Sequence, residues 1–188
     1  MSDMAARALG FCLFDTVLGS CGIAWGANGL MGVQLPEADG PATRRRMARD
    51  FPGVPELEEL LAPAQVQAAI GRIRGLLEGS ADPLLDIVLD MGDVPEFNQR
   101  VYQITRAIPP GRTLTYGEVA VRIGEPGAAR AVGQALGHNP FAPVVPCHRV
   151  LAARSGSGGF SAAGGVATKL RMLQIEKAQL GPEPGLFD

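Results

Sequence analysis

Cysteine is scarce in this chain, which has 188 residues and three thiols, at Cys12, Cys21 and Cys147. An odd and sparse set argues against a disulfide framework and for a reducing compartment. No close Cys-x-x-Cys pair occurs, so although His138 and His148 could join the thiols, no metal site is expected, and Cys12 and Cys21 read as small core residues. Long apolar runs are also missing: none approaches the roughly 18 residues of a membrane span, and no cationic start leads into one. Secretion and membrane insertion are therefore not expected, and a cytoplasmic protein is, nucleoid-associated if the source is bacterial. The glycine-rich stretch Ser155–Gly165 is followed by no Gly-Lys-Ser or Gly-Lys-Thr, which removes a phosphate-loop reading. What remains is 46% apolar content, enough to build the core of one moderate domain or two small ones.

The net charge of −2 conceals a division. Residues 1–96 carry seven Arg against fourteen Asp and Glu, whereas residues 97–180 carry ten Arg and Lys against three Glu. Such asymmetry predicts an electropositive half that meets a polyanion and an acidic half that faces elsewhere. Unequal solubilising charge on two domains is the plainer alternative.

In chain order, Phe11–Phe14, Cys21–Trp25 and Leu30–Leu35 read as short strands separated by turns, with Asn28-Gly29 a strong hairpin signal. Arg44-Arg45-Arg46 reads as a solvated helix face. From Pro63, the spacing of Val66, Ile70, Ile73 and Leu77 predicts a helix that leaves at Gly79 and covers one face of the sheet. Leu84 to Leu89, bounded by Pro83 and Gly92, suggests a further strand. A boundary near Met91–Pro95 divides the chain into an N-terminal α/β domain, 1–93, and a mainly helical C-terminal domain, 94–188. The fold class is thus α+β.

In the second half, Phe97, Val101, Ile104 and Ile108 recur on one helix face, and Pro109-Pro110-Gly111 ends that helix. Thr115 and Glu118 have the spacing of a capping box. The turn Gly124–Gly127 then leads to a second short helix, Ala128–Leu136. Two short helices in a basic region suggest a helix-turn-helix, though any αα-hairpin has similar periodicity. A last helix is expected over 166–180, docked by Leu170, Leu173 and Leu180.

Between these helices lies Asn139–Val150, NPFAPVVPCHRV, whose prolines at 140, 143 and 146 predict a stiff, extended passage delivering Cys147 in one geometry. A cysteine so placed is either a nucleophile or an ordinary buried thiol. His148 and Arg149 are available to lower its pKa, but successive side chains of an extended segment point to opposite faces.

Pro146-Cys147-His148-Arg149-Val150, with Asn139-Pro140 before it, resembles the acceptor-site signature of the methylated-DNA–protein-cysteine methyltransferases, also called O6-alkylguanine-DNA alkyltransferases. Phe97–Gly111 is similar to that family's first helix and following turn. The resemblance implies an alkyl-accepting Cys147 that needs no cofactor, and a relay in which Glu176, His148 and a water draw away the thiol proton. It implies that Asn139 braces the active loop and that Tyr116 contacts the phosphate beside a rotated nucleotide and assists the leaving O6. Arg130 would fill the space left by the flipped base, and the small Ala129, Ala131 and Gly133 would let that helix approach the minor groove. Val150 would offer a carbonyl to the exocyclic amine, Phe160 would pack on the guanine and Ser161 would meet O6. The partner implied is duplex DNA containing O6-alkylguanine, bound by a monomer. Ala162-Ala163 departs from the pattern as a two-residue extension, which puts the pocket width and the alkyl preference in doubt. An alkyltransferase-like protein that binds the lesion without transfer is the second reading, and a thiol hydrolase the third; Cys147 counts against the former and the basic helical half against the latter.

Overall fold

A two-residue loop, Ala27-Asn28, joins the second and third strands, and Gly29 just beyond it has a φ of +134° that a side chain would resist. The computed structural model describes residues 4–153 and 165–178. After a helical turn, α1 (Met4–Arg7), the strands β1 (Ala8–Thr16), β2 (Gly19–Gly26) and β3 (Gly29–Gln34) form an antiparallel sheet in sequence order. Thr16 pairs with Gly19 across an equally short loop, so the first strand extends well beyond the expected Phe11–Phe14.

Helices cover both faces of this sheet. On one, α3 (Ala64–Leu77) places Val66, Ile70, Ile73 and Leu77 against Cys12, Ile23 and Trp25, as its spacing predicts. On the other, α2 (Gly40–Asp50) contributes Met47, and Phe51 follows it onto Phe11, Ala24 and Met31. The second contact requires a bare backbone: a Cβ on Gly32 would stand 2.8 Å from Phe51 Cζ. The arginines of α2 turn outward, Arg44 Nε to Glu56 at 2.8 Å and Arg46 Nε to Asp50 at 2.7 Å.

The strand expected over Leu84–Leu89 does not form. Leu84 has φ +55°, Leu85 and Val88 are exposed, and one bridge, Leu30 to Leu89, touches the sheet. Polar partners displace a ladder here. Asp82 Oδ1 accepts the Leu84 N–H at 2.9 Å, and the Arg106 guanidinium donates to the carbonyls of Leu84, Leu85 and Ile87 at 2.9–3.0 Å.

The second half packs α4 (Glu96–Arg106), α5 (Tyr116–Arg122) and α6 (Ala129–Gly137) around Val101, Val119, Val132 and Leu136. Thr115 and Glu118 form the reciprocal cap that their spacing announced: Thr115 Oγ1 accepts from Glu118 N at 3.1 Å, and Glu118 Oε2 from Thr115 N at 2.6 Å. Tyr102 donates its hydroxyl to the Ala135 carbonyl at 2.8 Å and meets Phe141 edge-on, tying α4 to α6 and to the segment beyond it. Two short parallel strands, β4 (Leu114–Thr115) and β5 (Val150–Leu151), join the start of α5 to the exit of the cysteine segment.

The sheet and the helices are not independent layers. The outer edge of β3 is met by two segments from elsewhere: Val88 O accepts from Leu30 N at 2.9 Å, and Pro140 O from Val33 N at 2.8 Å. Val144 and Met172 also pack into the sheet's own cluster. Met172 belongs to α7 (Gly165–Ile175), which ends before the expected 180; Lys177 then turns the chain with φ +54°, and Leu180 lies outside the described residues.

Candidate active site

Three prolines stiffen Asn139–Val150, but the passage is not extended where it matters. Pro146 supplies a restricted φ of −81° and a carbonyl that accepts from Arg149 N at 2.9 Å, so Cys147–Arg149 winds into a single 3-10 turn. The strand-like alternation expected of Cys147 and His148 is thereby replaced by a helical offset. Asn139 fixes the approach: its Nδ2 donates to Val145 O at 2.8 Å and its Oδ1 accepts from Phe141 N at 2.9 Å. Val145 O also accepts from Cys147 N at 2.8 Å.

Cys147 is 7% exposed. Burial pushes its thiol upward; the Asn139 side chain, the Lys169 charge and the backbone N–H groups of Cys147 and His148 oppose that rise. His148 and Arg149 are each 1% exposed, and both converge on Glu176, which follows α7. His148 Nε2 stands 2.8 Å from Glu176 Oε1. Arg149 donates Nε to Oε2 at 3.0 Å and Nη2 to Oε1 at 2.7 Å, and sends Nη1 to the Ile108 carbonyl at 2.7 Å.

His148 and Glu176 are within ion-pair distance, yet burial lowers the imidazole pKa more than the carboxylate raises it. The carboxylate's charge is already met by Arg149, so the contact is a hydrogen bond from a neutral ring. Glu176 itself is held down to about 2, its hydrogen bonds to His148 and Arg149 outweighing a desolvation penalty that acts upward. A carboxylate can only accept, so Nε2 carries the proton and Nδ1 keeps a lone pair. Nδ1 is buried and has no hydrogen-bond partner among the described residues.

Tyr116, the first residue of α5, is partly buried, and its phenol is raised first by desolvation and then by Cys147. Gly133 of α6 lies beneath its ring, where a Cβ would be 3.8 Å from Cε1. Arg130 is exposed on α6, with Ala129 and Ala131 part-exposed beside it. Cys147, Val150 and Tyr116 thus share one apolar cluster, Asn139 braces the segment that carries Cys147, and His148 is bonded to Glu176 beside it, with the Arg130 helix packed on the helix that carries Tyr116. Phe160, Ser161 and the Ala162-Ala163 extension lie outside the described residues. Among the described residues no group of three His, Cys, Asp or Glu could hold a metal. Cys12 and Cys21 sit in the sheet core, pushed by burial to about 11 and about 12.

Sequence reasoning missed Lys169. It is 0% exposed, donates Nζ to the Val150 carbonyl at 2.7 Å and lies 5.8 Å from the Tyr116 ring centroid. Desolvation lowers it to about 8, with Cys147 acting in the other direction. A signal existed, since Lys169, Met172, Leu173 and Glu176 fall at i, i+3, i+4 and i+7, which puts a lysine on the inward face of α7.

Comparison with known proteins identifies the family. The family described as "6-O-methylguanine DNA methyltransferase, DNA binding domain" matches residues 96–178. The methylated-DNA--protein-cysteine methyltransferase of Mycobacterium tuberculosis is 40% identical over 126 residues, 67% of this chain and 74% of that protein. The Methanothermobacter thermautotrophicus protein of the same name is 34% identical over 159 residues, 85% of this chain and 80% of its own. The crystal structure of Mycobacterium tuberculosis OGT in complex with DNA superposes with a TM-score of 0.71 at 32% identity, covering 89% of this chain and 92% of that one. With a relative so similar along most of its length, and with the buried Cys147-His148-Arg149 turn anchored on Glu176, this chain belongs to the methylated-DNA--protein-cysteine methyltransferase family.

Proposed function

We propose that this protein repairs O6-alkylguanine in duplex DNA, chiefly O6-methylguanine, by moving the alkyl group irreversibly onto Cys147. The observation that carries the reading is a buried thiol followed by a neutral imidazole whose far nitrogen is held at 2.8 Å by a carboxylate. Nδ1 of His148 takes the thiol proton, directly or through a water, and Nε2–H remains anchored on Glu176. The thiolate sulfur then attacks the alkyl carbon. As the sulfur–carbon bond forms, the carbon–O6 bond breaks and its electron pair stays on the guanine, which regains a proton within the site. In this reading Tyr116 assists that departure. The thioether has no exchange chemistry of the disulfide kind, so each molecule acts once.

In this reading α5 and α6 act as a DNA-binding helix-turn-helix. Arg130 enters the stack from an exposed position on α6, offsetting part of the unstacking cost, and Ala129, Ala131 and Gly133 keep that face shallow. Residues 1–93 form a supporting domain and 94–188 the DNA-binding and acceptor domain, working as a monomer. Binding of the lesion without transfer is disfavoured because the acceptor thiol is present.

The test is intact-mass measurement after incubation with an O6-methylguanine duplex. One added methylene on the Cys147 peptide is expected, and tight binding with unchanged mass would refute transfer. Cys147→Ala should still bind the damaged duplex and accept nothing; retained acceptance would remove Cys147 from the role.

A further inference from the structure

We propose that the Lys169 ammonium is the counter-ion of the Cys147 thiolate, a positioning residue that α7 inserts behind the acceptor turn to hold the sulfur in its anionic form. The proposal rests on the reading of Cys147 as the nucleophile and deepens it.

An ammonium removed from water is strongly disfavoured unless an opposite charge or several dipoles replace its hydration. Lys169 is 0% exposed, and its Nζ meets the Val150 carbonyl at 2.7 Å and the face of Tyr116 at 5.8 Å. Those are dipole and quadrupole contacts. Among the described residues no carboxylate pairs with it, and the stretch 152–164 contains no Asp or Glu.

Among the described residues, the acidic and phenolic groups around the site are otherwise settled. Glu176, after α7, is consumed by Arg149 and His148 of the acceptor turn itself. Tyr102 from α4 and Tyr116 from α5 are phenols that burial keeps neutral, Tyr102 at about 12. Among the described residues, Cys147 is the remaining neighbour able to become an anion. It sits three residues before Val150, whose carbonyl holds the ammonium, on a turn against which α7 packs. The two influence each other reciprocally: the lysine favours the thiolate, and the thiolate favours the ammonium.

The arrangement divides two tasks between two residues. His148 accepts the proton, and Lys169 stabilises the charge left on sulfur. Because Glu176 is neutralised by Arg149, the imidazolium–carboxylate pair cannot supply that field alone. By lying over the Tyr116 ring, the same ammonium also fixes the side chain on the opposite wall.

The test reads the thiolate without DNA, so its failure is distinct from failure of the repair reading, which the mass measurement decides. In the full chain, the rate of iodoacetamide modification at the Cys147 peptide is followed against pH. Lys169→Met should move the midpoint upward by about one unit or more, cutting the neutral-pH rate at least about tenfold, with recovery at alkaline pH. Lys169→Arg, which keeps the charge, should retain most of the rate at neutral pH. A Lys169→Met midpoint that coincides with the native one would overturn the proposal, as would a loss that alkaline pH does not restore. Should Lys169→Met fail to fold, the reciprocal measurement decides. The chain has two lysines, Lys169 and Lys177, so the titration of Lys169 can be followed by NMR with labelled lysine. Cys147→Ser should lower its midpoint, and an unchanged midpoint would sink the pairing.

Discussion

Glu176 serves two partners with one carboxylate, and the order in which they claim it decides how the site titrates. Arg149 donates from Nε and Nη2, which leaves Oε1 shared with a neutral His148. Glu176→Gln should cost about 3–5 kcal/mol in a denaturant melt, because a buried guanidinium would lose its anion. The pH dependence has a definite sign. His148 is lowered from 6.5, so the unfolded chain takes up its proton first, and stability is lost as pH falls below that value. Glu176, held at about 2, contributes stability that is present above the ordinary carboxylate pKa of 4.5 and lost as pH falls through about 2. Melts between pH 7 and 5 should therefore show stability declining by up to about 1.4 kcal/mol per unit, the limit for one proton, and His148→Gln should flatten that slope. At this scale the residues that the structure brings together were legible, since Asn139, Cys147 and His148 stand in one distinctive run and Glu176 at a position matching the family's glutamate. Lys169 was not, because a lysine is ordinarily assigned to solvent and only its spacing to Met172 and Leu173 places it inside.

At the scale of elements, α5 is short and carries Tyr116 at its first turn, so its start controls where the phenol points. Thr115→Ala removes the acceptor for Glu118 N and should destabilise the protein by about 1 kcal/mol. It should also slow alkyl transfer at constant DNA affinity, which a single-turnover assay separates from binding. The cap of α5 and the helical spacings of α3 and α4 were readable because they depend on residues close in sequence. The Leu84–Leu89 segment was misread for the opposite reason: its backbone carbonyls are satisfied by Arg106, a side chain from another element. The Cys147 turn was likewise read as extended, since proline restriction fits both a straight passage and a 3-10 turn, and the bond from Arg149 N to the Pro146 carbonyl selects the latter.

For the molecule as a whole, the two halves differ in charge and composition but share their packing. Val144 from the acceptor segment and Met172 from α7 complete the cluster under the sheet. Residues 96–178, the stretch matched by the family description, should not melt cooperatively when expressed alone, whereas the full chain should show one thermal transition. A sharp transition in the fragment would show that the sheet is dispensable. The charge division was visible in the sequence, but this interlocking was not, because it rests on contacts between residues far apart in the chain.

The bond from Val33 N to the Pro140 carbonyl has a further consequence, for the order in which the protein is made. On the ribosome, β3 is complete early, yet its outer edge has no cover beyond Leu30 until Pro140 has been translated. Through most of synthesis the nascent sheet exposes an unpaired edge, the feature that templates association with other chains. The segment that carries Cys147 is thus also the cover that closes this edge, and a chain whose sheet edge is sealed there already holds Asn139 and Cys147 on one short loop.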